Sequence, residues 1–259
     1  MILLSVRPHA GQGSARTARA LLFTLLIVPK LESAAAFPQA EISNGQITAR
    51  LYLPDAQNGY YRSTRFDWSG AVYSLEYKEH NFYGPWYDRI DPKVINWVYQ
   101  GTEIVSGPCS ALMGPVDEFA TPLGWDNADP GGTFIKIGVG LLRKTQTAYN
   151  RYFPYDVLDS GKWSVNKKND SVEFTQELSD TASGYGYVYR KVVHLEPGKP
   201  ELIIDHDLKN TGRLDIQSSV YNHNCCARRA AAGTGLYLQG AFRDQGEPAT
   251  EEGTRRDPG

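Results

Sequence analysis

The 259-residue sequence predicts an all-β protein, and three observations carry that reading. Apolar and polar residues alternate in short runs, the period of a half-buried strand. Forty Gly and Pro residues are scattered between those runs without a period, as turn punctuation rather than collagen. No amphipathic pattern persists for three helical turns. Aromatic residues at 12%, with 16 Tyr, fit pleated, half-buried surfaces.

The runs follow one another along the middle of the chain. Residues 47–53 alternate and stop at Pro54-Asp55, and 71–77 alternate again. Residues 134–142 form one apolar run with small or charged residues interspersed. Residues 162–165 lead through the polar turn Lys167-Lys168-Asn169-Asp170 to 171–178. Residues 187–195 and 201–208 flank Glu196-Pro197-Gly198-Lys199-Pro200, which predicts an antiparallel pair around a Pro-Gly turn. Asn210-Thr211-Gly212 then precedes a last run, 214–221. Loop excursions are expected at 54–70, 78–95 and 106–132. The segment 37–224 is thus read as a β-sandwich or barrel, with no internal repeat of 20–50 residues.

Both ends differ from this middle. Residues 1–36 combine Arg7, Arg16 and Arg19, the apolar run 20–28, and the small residues Ser33-Ala34-Ala35-Ala36. These are the parts of a secretory signal peptide, and cleavage is expected near Ala36, which predicts a secreted or periplasmic protein. The apolar run is too short to cross roughly 30 Å of hydrocarbon, so no membrane partner is expected after cleavage. Net charge is −2, and loss of 1–36 removes four basic residues and one acidic one, leaving −5. Such a chain offers no basic field for nucleic acid. From Cys225 to Gly259 there is no Val, Ile, Trp or Lys, and the segment is Gly-, Arg- and Glu-rich. It reads as a disordered tail or as the product of a frame change near codon 225, and Leu236, Leu238 and Phe242 supply at most one short strand. A sheet left without its C-terminal strands would expose edges that associate with other chains.

Candidate chemistry is sparse. No phosphate-cradling Gly loop, Cys-x-x-Cys, His-Glu-x-x-His or Gly-x-Ser-x-Gly occurs, so nucleotide, structural zinc and hydrolase readings have no support and no cofactor is expected. His194 and His206 fall on adjacent strands, where they are a metal pair or a cross-strand surface pair. Cys109 reads as a buried thiol with no His nearby in sequence. Tyr221-Asn222-His223-Asn224 ends a strand with a titratable imidazole between two amides, suited to proton transfer near neutral pH or simply a satisfied surface group. The loops 79–89 and 114–119 interleave aromatic rings with His80, Trp86, Asp88, Arg89 and Glu118. Stacking faces beside polar groups suit a sugar ring, and they equally suit aromatic packing under long loops.

The segment 187–210, with Leu195-Glu196-Pro197-Gly198-Lys199-Pro200-Glu201-Leu202 and Leu208-Lys209-Asn210-Thr211-Gly212, resembles the core of galactose mutarotase-like proteins, which include the aldose 1-epimerases. The resemblance spans about 42–224. It implies an antiparallel β-supersandwich whose C-terminal part is incomplete here, a sugar or polysaccharide ligand, and no cofactor or metal. Asn222-His223 matches the family's pair that presents the catalytic acid, so the resemblance makes His223 catalytic. Asp88-Arg89-Ile90 resembles the family's sugar-contacting Asn-Arg-Ile, with Asp in place of Asn. Trp86, His80, Glu118 and Asn222 complete the expected sugar contacts. The implied reaction is anomer interconversion: His223 protonates the ring oxygen, a carboxylate removes the anomeric proton, and the opened ring recloses on the other face. The family's base is a C-terminal Glu that no residue here matches. A non-catalytic carbohydrate-binding module of the same fold is the alternative.

Overall fold

A computed structural model describes residues 37–84, 87, 89–91, 93, 94, 97–107 and 114–224, and the backbone of 238–244. The chain divides into two units, Met1–Ala36 and Phe37–Gly259. The first lies outside the described residues, as does the expected cleavage site. Among the described residues every regular element is a strand.

Three strands and a short edge, β1 (Gln39–Ser43), β2 (Ile47–Tyr52), β3 (Ala71–Tyr77) and β4 (His80–Asn81), make one antiparallel sheet in that order. A second sheet is built from β12 (Lys162–Lys167), β13 (Ser171–Asp180), β14 (Tyr185–Leu195) and β15 (Leu202–Asn210), antiparallel throughout. Alternation decides which side chains go inward: β2 buries every second residue and β13 does so along most of its length. The inward sets meet in one core, in which Ile42, Ile47, Leu51 and Leu75 from the first sheet contact Phe174, Val193, Leu202 and Ile204 from the second. Each such side chain contributes about 1.5–3 kcal/mol by leaving water.

The expected β14–β15 hairpin is present, with Gly198 at φ +72° in its turn and Val193 opposite Ile204. Only glycine takes that backbone without strain. The first sheet's tight turn is fastened to this hairpin, because the Asn44 amide donates to the carbonyls of Glu196 (2.6 Å) and Lys199 (2.8 Å).

Three departures from the sequence reading matter. The run 134–142 is not one strand: it folds back as β9 (Thr133–Lys136) and β10 (Gly140–Arg143), with β11 (Val157–Asp159) beside β10. Gly138, at φ +80°, turns the corner, and a Cβ there would stand 2.7 Å from the Asp67 side chain. The loop 78–95 contains β5 (Arg89–Ile90), which joins β6 (Trp97–Gln100) and β7 (Glu103–Ser106) in a small sheet whose outer strands β5 and β6 are exposed. The loop 106–132 contains β8 (Val116–Phe119), and its partner β16 (Val220–His223) replaces the longer strand expected over 214–221. Finally, β17 (Leu238–Asp244) lies parallel to β15 and covers its edge, within the stretch where one short strand was allowed. The rest of 225–259 lies outside the described residues.

Candidate functional site

The site is created by the pairing of β8 with β16. Its register sets Glu118 opposite Tyr221, Asp117 opposite Asn222, and Val116 opposite His223. Side chains alternate across a strand pair, so Glu118, Tyr221 and His223 share one face while Asp117 and Asn222 share the other. Each face meets its own set of charges.

On the first face Glu118 is sealed, its side chain only 1% exposed. Arg65 donates Nε to it at 3.0 Å, and Arg151 grips it in bidentate fashion through Nε (2.9 Å) and Nη2. The Arg65 guanidinium also packs 4.3 Å from the Phe66 ring centroid and 4.7 Å from that of Tyr152. Lys136 is fully buried nearby, donating to the Phe119 carbonyl with its Nζ 5.6 Å from the Tyr149 ring. Burial pulls the Lys136 ammonium down to about 8, against the attraction of Glu118. His223 is half-buried with its ring 5.3 Å from Phe66. Burial lowers its pKa and the Arg65 charge lowers it further, while Glu118 opposes both, so the imidazole is neutral at pH 7.

On the second face Lys191, wholly buried, bridges two buried carboxylates: 2.6 Å to Asp117 and 3.3 Å to Asp67. It also donates to the Ser69 carbonyl at 2.9 Å. The Tyr189 hydroxyl donates to Asp67 at 2.9 Å and lies 2.9 Å from Nδ1 of His206, whose Nε2 is 3.6 Å from Asp117. Burial drives Lys191 towards its neutral form, but the two carboxylates overcome this and hold its pKa above the ordinary lysine value. Burial likewise pushes Asp117 up, yet Lys191 and His206 bring it below the usual carboxylate range. Asp117 in turn accepts from the Asn222 amide at 2.9 Å, and Tyr83 donates to Asn224 at 3.0 Å. His223 is thus held on a strand end pinned on both sides, and its two amide neighbours anchor the backbone instead of gripping the ring.

Of the residues singled out in sequence, Glu118, Asn222 and His223 come together here. Arg89 lies on the exposed β5 strand, bonded to Glu103 (2.7 Å) and Gln100 (3.0 Å). His80 sits at the sheet edge with its ring 4.6 Å from that of Phe82, and its Nε2 is buried without a partner. No hydrogen bond or ion pair among the described residues joins either to the His223 cluster. Trp86, Asp88 and Cys109 lie outside the described residues. His194 and His206 are not a pair: His206 faces the core beside Lys191, whereas His194 is 3.0 Å from Asp205 on the outer face. Arg65, Arg151, Lys191 and Asp67 also build the site and fall in no sequence motif. The run Arg65-Phe66-Asp67-Trp68, alternating charge with aromatic inside a presumed loop, was the one local signal for two of them.

A separate cavity of about 860 Å³ is lined by Phe37, Tyr60, Trp68 and Tyr155 together with Asp156 and Asp159. Neither His223 nor Glu118 borders it.

No protein-family model matches the chain, and neither a curated protein nor a solved structure matches it. The functional reading therefore rests on the site itself.

The site's titrations make a prediction about stability. His206 and His223 both have pKa values below the ordinary 6.5, the first through burial foremost. The unfolded chain therefore binds protons first as pH falls below about 6.5, and stability present above that value is lost on the way down. Asp117, with its depressed pKa, adds a second loss below about 4. The urea midpoint should decline as pH falls below about 6.5, and it should rise between pH 7 and 8 because Lys136, held down to about 8, loses its proton in the fold before it does in the unfolded chain. A midpoint unchanged down to pH 5 would show that neither imidazole is held neutral by the fold.

Proposed function

We propose that the chain is a carbohydrate-binding protein whose sugar sits against His223, in a β-supersandwich of the galactose mutarotase-like type. The observation that carries this reading is the β8–β16 register, which sets a titratable imidazole beside Glu118 and its guanidinium donors, with the exposed Tyr152 ring packed on Arg65. Ring faces stack on the C–H side of a sugar, and fixed donors orient its hydroxyls. In this reading residues 1–36 are a signal peptide that directs export, and N-terminal sequencing of exported protein should begin at Phe37.

Anomer interconversion asks for an acid and a base on opposite sides of the ring. His223 is the acid in this reading. Because it is neutral at pH 7, the protonated fraction grows as pH falls, and activity carried by it should rise below pH 7. Glu118 is not the base: it is buried, and both of its oxygens are held by arginines. Asp117 is likewise committed to Lys191 and Asn222. Binding is the function that the described residues support most directly.

Calorimetric titration with aldoses, run beside polarimetry of anomer exchange, tests both parts. Saturable binding is expected, and His223→Asn should lower any exchange rate by about 10²–10⁴-fold. Binding without acceleration assigns the chain to the non-catalytic modules. Absence of binding across neutral and acidic aldoses removes the reading.

A further inference from the structure

Charge around His223 does not balance. Among the described residues Arg65, Arg151 and Lys136 surround a single carboxylate, Glu118, and each of these cations reaches it or feels it at short range. The carboxylate of Asp117 cannot compensate them, because it lies on the other face of the strand pair and is taken by Lys191. Among the described residues the first face therefore carries an excess of positive charge, two of whose three cations are nearly desolvated, and such an excess calls for an anion.

Hydrogen bonding decides where that anion belongs. Lys136 gives its ammonium to the Phe119 carbonyl, and Arg151 turns Nε and Nη2 onto Glu118. Arg65 commits Nε alone, and its two terminal amino groups have no acceptor among the described residues. Its side chain is nonetheless only 11% exposed, and it is packed against Phe66 and Tyr152, so the free edge is fixed in place rather than waving in solvent. A planar guanidinium edge with two parallel N–H donors matches the two coplanar oxygens of a carboxylate. A phosphate dianion, with three acceptor oxygens and nearly twice the charge, would call for more free donors than this one fork supplies.

We infer that the sugar taken at this site is an acidic one, a hexuronate whose ring carboxylate docks on the free edge of Arg65 beside His223. This rests on the sugar-binding reading above and narrows it. An arriving carboxylate would offset the Arg65 charge that His223 feels, so binding also readies the imidazole to hold a proton.

The test is calorimetric titration of the whole 259-residue protein with galacturonate and glucuronate, against galactose, glucose and galactose 6-phosphate. At least one uronate should bind about tenfold or more tightly than its neutral parent, the gain of a charge-assisted bidentate contact. That margin should shrink with added salt and close in Arg65→Lys, which keeps the charge and loses the fork. Should that variant fold poorly, the unaltered protein still answers: the His223 imidazole followed by NMR should titrate at higher pH with uronate bound, and at unchanged pH with galactose. Equal affinity for uronate and neutral sugar overturns this inference and leaves sugar binding standing. Tighter binding of the 6-phosphate than of either uronate overturns the carboxylate assignment. A uronate preference that survives Arg65→Lys overturns the role of Arg65. If no sugar binds, both readings fall together.

Discussion

Lys191→Met should lower the stability of the fold by about 3–5 kcal/mol at pH 7, the cost of stranding buried charge when one partner of a buried ion pair is removed. Lys191 is fully buried between Asp67 and Asp117, and methionine fills its volume without its charge. Against a total stability of about 5–15 kcal/mol this is a large fraction. The sign of the pH dependence is diagnostic. Without the ammonium, both carboxylates are penalised by burial and take raised pKa values, so the variant loses stability as pH rises past about 4 and draws level with the parent as pH falls towards that value. Asp117→Asn added to Lys191→Met should restore part of the loss, since it removes one stranded charge while preserving an acceptor for Asn222. Urea unfolding at pH 7 and pH 4.5 reads these effects. A variant within 1 kcal/mol of the parent at pH 7, taken as about the worth of an ordinary exposed pair, would mean that water reaches the cluster.

Glu118→Ala should be comparably damaging and should act on the site as well. It removes the only anion that Arg65, Arg151 and Lys136 share among the described residues, leaving like charges close together where burial is nearly complete for two of them. A loss of about 3–5 kcal/mol is expected, again for an unpaired buried charge. Arg151 is 39% exposed, so part of that loss is open to screening, and added salt should recover some of it. Glu118→Gln, which keeps the shape and an acceptor oxygen, should be milder. Sugar titration of Glu118→Gln reports on whether Glu118 fixes the arginine geometry: weakened binding with intact folding is the expected result. Unchanged urea midpoints in Glu118→Ala would remove Glu118 as the centre of this cluster.

The history of each site residue shows what could be read locally. His223 stood out in sequence because it ends an alternating run between two amides. Glu118 stood out only as one member of an aromatic and acidic loop, and its role changed on folding, from sugar contact to the sealed anchor of two arginines. Arg151 belonged to no recognised run, since a lone arginine in a Tyr- and Asn-rich loop carries no pattern. Asn222, a sugar contact by resemblance, gives its amide to Asp117, a residue 105 positions earlier. The run 134–142 differs for a local reason: its small residues mimic alternation, while Gly138 and Gly140 adopt positive φ and turn the chain back.

By itself the sequence determined the strand-by-strand character of the chain and the β14–β15 hairpin with its Pro-Gly turn. These follow from a period of two and from turn chemistry, both properties of neighbouring residues. The tertiary structure alone decided that β8 pairs with β16, and hence that Glu118 and His223 share one face while Asp117 and Asn222 share the other. Alternation says which side chains of a strand travel together. It does not say which strand, a hundred residues away, will lie opposite, because that choice is made by the packing of the whole core and by the buried charges that must find partners there.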